Sequence, residues 1–317
     1  MTTTFIRGIQ KFKKRGDRAV IATLGTFDGI HLGHQEILRQ LREESQKSKL
    51  DPVLITFHPH PKALVTPNDV PMLLTTIEEK EKFIPDFLEG NVLVLDFNEE
   101  LRSLSAEEFV KKILVDGVGV RKVIVGYDHA FGKNRSGNIT ELKRLGQKYN
   151  FDVTVVDPII VDGKPVSSSR IRKAMLGGHF TEAIRLLGHE YAIYGTVERG
   201  IGLGRKIGYP TANVRYNPRK LLPPAGVYAC WAQTGKDDKY GMMFIGQNHF
   251  NPVERVTVEA NLFDFDRDIY DDEMIVYPCK YIRENRKFGS TDELVKQIEL
   301  DKQNIIKLMN TGEKACP

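Results

Sequence analysis

Two histidines three residues apart, His31 and His34, stand in the string GTFDGIHLGHQ (residues 25–35) with Asp28 and the glycines Gly25, Gly29 and Gly33. The string follows the apolar run AVIATL (19–24), and a helical pattern begins near Gly33, so the spacing sets both imidazoles on one side of a first helical turn. Glycines there let a phosphate-bearing ligand approach the backbone, free N–H groups of a helix start receive anionic oxygens, and imidazoles add hydrogen bonds or charge. Those are the parts of a nucleoside-triphosphate site. The string also admits an ordinary strand-to-helix turn with two solvent-capped histidines. A zinc reading exists as well, with His58 and His60 of TFHPHP (56–61) joining the pair at the carboxyl edge of a sheet, although no H-E-x-x-H arrangement and no nearby cysteine supports it. Neither the Walker A string nor the Rossmann G-x-G-x-x-G occurs here, which disfavours P-loop hydrolysis and dinucleotide redox chemistry.

Other strings carry chemistry too. SSSRIR (167–172) opens a helical pattern with hydroxyls that cap it or touch phosphate, and Arg170 and Arg172 offer forked donors; alone it is also an ordinary serine-capped surface helix. GYDHAFGKNRSG (126–137) follows an apolar run, where ligand-binding loops of open α/β sheets belong, and Asp128, Phe131 and Arg135 suit a base or a flavin. In GTVERGIGLGRKIGYPTANV (195–214), Thr211 and Asn213 offer neutral oxygens suited to a hard cation with bound phosphates, after glycines that would serve equally as hairpin turns. Glu259, between Val258 and Ala260, either faces solvent or accepts a proton from an attacking hydroxyl.

The elements that must position these residues follow from periodicity. Apolar runs at 19–24, 52–57, 91–95, 121–126 and 152–156 alternate with amphipathic segments, including a capping box Ser105-x-x-Glu108, which predicts a parallel sheet covered by helices. After residue 190 short strands and turns dominate, predicting an antiparallel sheet or barrel, and a last helix capped near Ser290 and Thr291 brings Leu294, Ile298, Ile305 and Leu308 to cover it. At 317 residues the chain is long for one domain, and the change of pattern puts the boundary at 186/187, giving domains 1–186 and 187–317.

Composition excludes several classes. A net charge of +4 with cations spread among acids implies no nucleic-acid groove. No stretch approaches a membrane span or a signal peptide, and Cys230, Cys279 and Cys316 are odd in number and far apart, so no disulfide framework or thiolate metal site is expected and the setting is cytoplasmic.

The H-x-G-H form of GTFDGIHLGHQ, together with TFHPHP, VGYDHAFGKNRSG (125–137) and SSSRIR, resembles the bacterial bifunctional riboflavin kinase/FMN adenylyltransferase family. Its second half is similar through the string G-x-P-T-A-N and the strand glutamate, so the resemblance spans nearly the whole chain. It implies a Rossmann-like nucleotidylyltransferase domain followed by a six-stranded antiparallel barrel with a C-terminal helix. For the first domain it implies adenylyl transfer from ATP to FMN with release of pyrophosphate. ATP would be bound by Gly25, Phe27, Asp28, Gly29, His31, His34, Ser168, Arg170 and Arg172, and FMN by His58, Pro59 and Asp128, with His31 and His34 catalytic. For the barrel it implies phosphorylation of riboflavin by ATP, with Glu259 as base, Thr211 and Asn213 at Mg2+, and Gly202, Gly204, Arg205, Gly208, Thr211, Asn213 and Arg283 at the nucleotide and flavin. Departures are Ser169 where the family has threonine, GQNHF (246–250) where it commonly reads Gly-x-x-Pro-Thr, and DHAFG (128–132), where an aromatic usually follows the aspartate. A chain retaining one activity, a flavin-binding regulatory protein and, more distantly, a zinc hydrolase are the competing readings.

Overall fold

Residues 3–13, 18–235, 237–246 and 256–310 are described by the structure, a computed structural model. The chain divides into two compact units, residues 1–168 and 169–317.

In the first unit, strands β1 (Thr4–Arg7), β2 (Val20–Leu24), β3 (Asp51–His58), β4 (Asn91–Asp96), β5 (Val120–Gly126) and β6 (Asp152–Val156) form one parallel sheet in the order β1-β4-β3-β2-β5-β6. All five residues of β2 are buried, as expected of a central parallel strand covered on both faces. Ala22 and Leu24 pack with Phe109, Leu114 and Leu142 on one face, and Ile21 packs with Leu38, Leu41 and Ile84 on the other.

Helices α1 (Leu32–Ser48), α2 (Lys62–Val65), α3 (Ile77–Phe87), α4 (Glu99–Ser103), α5 (Ala106–Phe109) and α6 (Ile139–Tyr149) connect or follow the strands, and α7 (Ser168–Leu176) begins at the last residue of this unit and runs into the second. The Ser105/Glu108 capping box forms as the sequence predicts, and α5 runs on into a π-helical stretch, Val110–Val118, that ends where Gly119 takes a positive φ of 72°. A small hairpin pairs β7 (Ile160–Val161) with β8 (Lys164–Pro165).

The chain builds outward from β2 to β3 and β4 and then crosses back to place β5 on the other side of β2. That reversal opens a crevice at the carboxyl ends of β2 and β5, the usual ligand position in open α/β sheets. The loops carrying His31 and Asp128 leave from those two ends.

In the second unit, α8 (Phe180–Leu187) precedes a closed antiparallel barrel of β9 (Ile193–Glu198), β10 (Ala212–Tyr216), β11 (Gly226–Thr234), β12 (Asp237–Gly246), β13 (Thr257–Leu262) and β14 (Glu273–Arg283), ordered β10-β13-β12-β11-β14-β9 and closed by β9 pairing with β10. Phe180 of α8 meets Tyr228 of β11 edge to face at 5.5 Å. A short helix α9 (Leu203–Lys206) lies in the glycine-rich connection, and α10 (Thr291–Asn310) buries Ile305 against Ala229, Met242 and Phe263. Ser290 Oγ accepts from Glu293 N at 3.3 Å, so the expected cap is formed. The architecture is the one expected, with four strands that the sequence pattern does not predict, β1, β10 and the two of the small hairpin, β7 and β8.

Candidate active sites

The first site is built on the loop between β2 and α1. Phe27 and Ile30 take positive φ values of 47° and 43°, unusual for side chains of this size, and both are buried. The strained turn is pinned from several sides. The buried Asp28 carboxylate accepts from Thr75 N at 2.9 Å, Thr75 Oγ1 accepts from Gly29 N at 2.9 Å, and Ser168 Oγ donates to Asp28 O at 2.8 Å. Lys80 Nζ and Thr56 Oγ1 both donate to Thr26 O, at 2.6 and 3.2 Å.

So held, the loop delivers His31 as the N-cap of α1, its Nδ1 accepting from His34 N at 3.4 Å. The two rings stack with centroids 3.7 Å apart and planes 17° apart, and Phe27 closes on His34 at 4.8 Å. A Cβ on Gly33 would lie 3.3 Å from the His31 ring, so glycine gives that ring its room. Burial first, then the neighbouring His31 and Lys80, hold the His34 imidazole well below the ordinary histidine range. It is neutral at pH 7. His31 Nδ1 is an acceptor, and His34 Nδ1 is buried without an acceptor among the described residues. The hydrogen bond accepted at Nδ1 leaves Nε2 as the donor nitrogen of the His31 ring, beside a helix N-terminus.

Other expected residues of this unit fall at the same sheet edge. His58 ends β3 opposite Asp96 of β4 and is joined to Pro59 by a cis peptide bond, and both are exposed. Asp128 is exposed in the loop after β5. His129 beside it stacks on Phe131 at 5.7 Å, and its buried Nε2 has no partner among the described residues. Arg170 pairs with Glu182 at 3.3 Å inside the second unit, to which Arg172 also belongs. Among the described residues no group of three or more His, Cys, Asp or Glu is arranged to hold a metal ion, so the four histidines of the zinc reading do not assemble. Sequence reasoning missed Lys80 and Thr75. The Thr76/Glu79 capping box, which does form, is the local signal that would have put them at the start of a helix.

The second site is a cavity of about 190 Å³ in the barrel unit. Asn213 of β10 pairs in register with Glu259 of β13, and Thr257, Glu259 and Asn261 alternate onto one face of that strand. Thr211 Oγ1 and Thr257 Oγ1 approach the two Glu259 oxygens, each at 3.4 Å. Thr211, Asn213 and Glu259 all line the cavity and are half-buried. A Cβ on Gly200 would come within 2.4 Å of Asn213 Nδ2, and one on Gly204 within 2.3 Å of Tyr209 O, so these two glycines let the loop close on the site. Gly202, with φ of 71°, also lines it.

Arg205 turns instead to Tyr270, its NH2 3.4 Å from the phenol oxygen, and neither it nor Gly208 is among the cavity's lining residues. Arg283 does line the cavity, gripped by the buried Asp301 of α10 through Nε at 2.9 Å and NH2 at 2.7 Å. Asp301, 18 residues away in sequence, was not expected from the sequence. Of the departing string 246–250, residues 247–250 lie outside the described residues.

Comparison with known proteins agrees with both halves. The FAD synthetase family model matches residues 13–170 and the riboflavin kinase family model residues 187–309. The chain is 37% identical to the bifunctional riboflavin kinase/FMN adenylyltransferase of Buchnera aphidicola subsp. Schizaphis graminum, covering 96% of this chain and 98% of that one. To the protein of the same name from Escherichia coli K12 it is 34% identical, covering 93% and 95%. A solved Streptococcus pneumoniae structure described as a macrolide-efflux protein shares the fold with a TM-score of 0.82 at 31% identity, covering 96% of this chain and 98% of that one. Efflux is said of that protein; among the described residues here, no helix is long and apolar enough to cross a membrane. Matched in both halves, in order and over nearly its whole length, the chain belongs to the bifunctional riboflavin kinase/FMN adenylyltransferase family.

Proposed function

We propose that this chain phosphorylates riboflavin to FMN in its barrel domain and adenylylates FMN to FAD in its sheet domain, with ATP as co-substrate of both reactions. What carries the proposal is that one chain holds two separate, chemically complete clusters: the stacked His31/His34 pair at a helix N-terminus, and Glu259 in register with Asn213 beside Thr211. The adenylyltransferase domain is taken as residues 1–186 and the kinase domain as 187–317.

In the barrel, the ribityl 5′-oxygen attacks the γ-phosphorus of ATP, its proton passes to Glu259, and ADP leaves. Thr211 and Asn213 present neutral oxygens next to a carboxylate in a half-buried cavity, a donor set that fits Mg2+ with its phosphate ligands. Bound there, Mg2+ supplies charge neutralisation for the transferring phosphoryl group. Gly202 and Gly204 bring backbone to the phosphates, Arg205 and Gly208 complete that loop, and Arg283 borders the flavin.

In the sheet domain an oxygen of the FMN phosphate attacks the α-phosphorus of ATP while the bond to the β-phosphate oxygen breaks and pyrophosphate leaves. The nucleophile is already anionic, so no strong base is required, and rate comes from positioning and charge stabilisation. The imidazole N–H groups of His31 and His34 serve the developing charge. Gly25, Phe27, Asp28 and Gly29 shape the loop, Ser168 holds an outer phosphate, and His58, Pro59 and Asp128 border FMN. All partners in this reading are small molecules of the cytoplasm, with no nucleic acid and no membrane.

Single variants separate the two activities. His34→Ala is expected to lower FMN-to-FAD turnover by roughly 100- to 1000-fold, the usual cost of one transition-state donor, and to spare riboflavin-to-FMN conversion. Glu259→Ala should do the reverse. A variant that lowers both rates equally would contradict the assignment of one reaction to each cluster.

A further inference from the structure

Lys80 is buried, with 6% of its surface exposed, and among the described residues its ammonium makes one hydrogen bond, to Thr26 O. An ammonium carries three donors, and burying one with a single acceptor costs several kcal/mol that an apolar side chain of similar length would not. Burial accordingly pulls its proton affinity below the ordinary lysine range, opposed by the carboxylates of Asp28 and Glu79. The question is what keeps a charge at this place.

Its position gives the answer. Thr26 leads directly into Phe27, whose positive φ turns its ring onto His34 at 4.8 Å, and His34 in turn stacks on His31. The same carbonyl accepts from Thr56 Oγ1 of β3, so two donors from two elements fix one atom of a strained loop. Thr75, just ahead of the helix that carries Lys80, holds the middle of that loop at Asp28 and Gly29. The first turn of α3 is itself locked by the Thr76/Glu79 capping box. One short segment, residues 75–80, therefore clamps both the start and the middle of the loop that presents the histidines.

We propose that Lys80 is a positioning residue for FMN adenylylation, acting through the Thr26 carbonyl on the His31/His34 pair. This rests on the adenylyltransferase reading of that pair. The ammonium holds Thr26, Thr26 sets the Phe27 turn, and Phe27 sets the His34 ring against His31. Because the effect runs through the histidines, it belongs to the transition state more than to ground-state binding.

The test is steady-state kinetics of FMN-to-FAD conversion on the full chain, with riboflavin phosphorylation on the same chain as an internal control. Lys80→Met is expected to lower kcat tenfold or more, with KM for ATP and FMN within about threefold of the unaltered protein and with the kinase rate unchanged. Lys80→Arg, which keeps a charge and a donor, should retain more kcat than Lys80→Met. Added to His34→Gln, Lys80→Met should cost little further, because the two act on one unit. Full additivity in that cycle, or a Lys80→Met protein with unchanged kcat, would overturn the proposal. Should Lys80→Met unfold the first unit, seen as loss of its circular dichroism with the kinase intact, the same cycle run with Lys80→Gln, which removes the charge but keeps a polar side chain, decides in the same terms. An unaltered chain that makes no FAD from FMN would overturn the underlying reading, and this inference with it, before any variant is compared.

Discussion

At the scale of single residues, burial rather than charge pairing sets the protonation of two imidazoles of the first unit. His34 is kept neutral by it, and so is His129, which burial, aided by Arg135, brings from the ordinary 6.5 down to about 4. The sign of the resulting pH dependence follows. Between those two values an unfolded chain binds a proton at His129 that the folded chain does not, so stability is lost as pH falls from about 6.5 to about 4 and this group adds no further loss below that. The full effect is about 3 kcal/mol at most. His129→Phe places the aromatic usual in the family at this position and should flatten the loss in that window. Urea titrations by circular dichroism at several pH values would measure it, with fluorescence of Trp231, the single tryptophan, reporting the second unit separately. Equal acid loss in the variant and the unaltered protein would contradict the assignment. Residue types that announce themselves locally, such as His31 and His34 in one string, are legible in sequence. Lys80 and Asp301 are not, because their partners lie 54 and 18 residues away and nothing local distinguishes a buried charge from a surface one.

At the scale of elements, the sheet is legible wherever a strand is covered on both faces. VIATL is apolar throughout because every residue of β2 is buried. TFIR, β1, sits at the sheet edge with exposed ends and carries no such run, and ANVRY, β10, alternates polar residues and begins directly after Thr211, so neither reads as a strand in the sequence. The role of α10 is likewise only half visible. Its apolar stripe predicts a cover for the barrel, but the structure adds a second task, since Asp301 locks Arg283 at the cavity with bidentate contacts and accepts from Gln297 at 2.7 Å. Asp301→Ala leaves that guanidinium without its carboxylate in a largely buried place. It should destabilise the barrel unit by about 3 kcal/mol and lower riboflavin kinase kcat/KM by at least tenfold, with FMN adenylylation unchanged. Denaturation followed at Trp231 and the two separate assays would check this. An unaltered kinase rate would show that α10 covers the barrel without shaping its site.

At the scale of the whole molecule, the change of pattern near residue 190 separates two kinds of architecture that carry two kinds of phosphorus chemistry. Each cluster is assembled within its own unit from residues far apart in sequence: Thr26 with Thr56 and Lys80 in one, Thr211 with Glu259 and Arg283 with Asp301 in the other. The product expected of the barrel is the substrate expected of the sheet domain, so a single incubation reports on both. The most direct test of the central claim is a chromatographic time course of riboflavin with the purified protein, ATP and Mg2+, and a parallel one starting from FMN. The account predicts FMN first and FAD later from riboflavin, and FAD without a lag from FMN. FMN alone from riboflavin and no FAD from FMN, or FAD from FMN with riboflavin untouched, would contradict the claim that both clusters turn over.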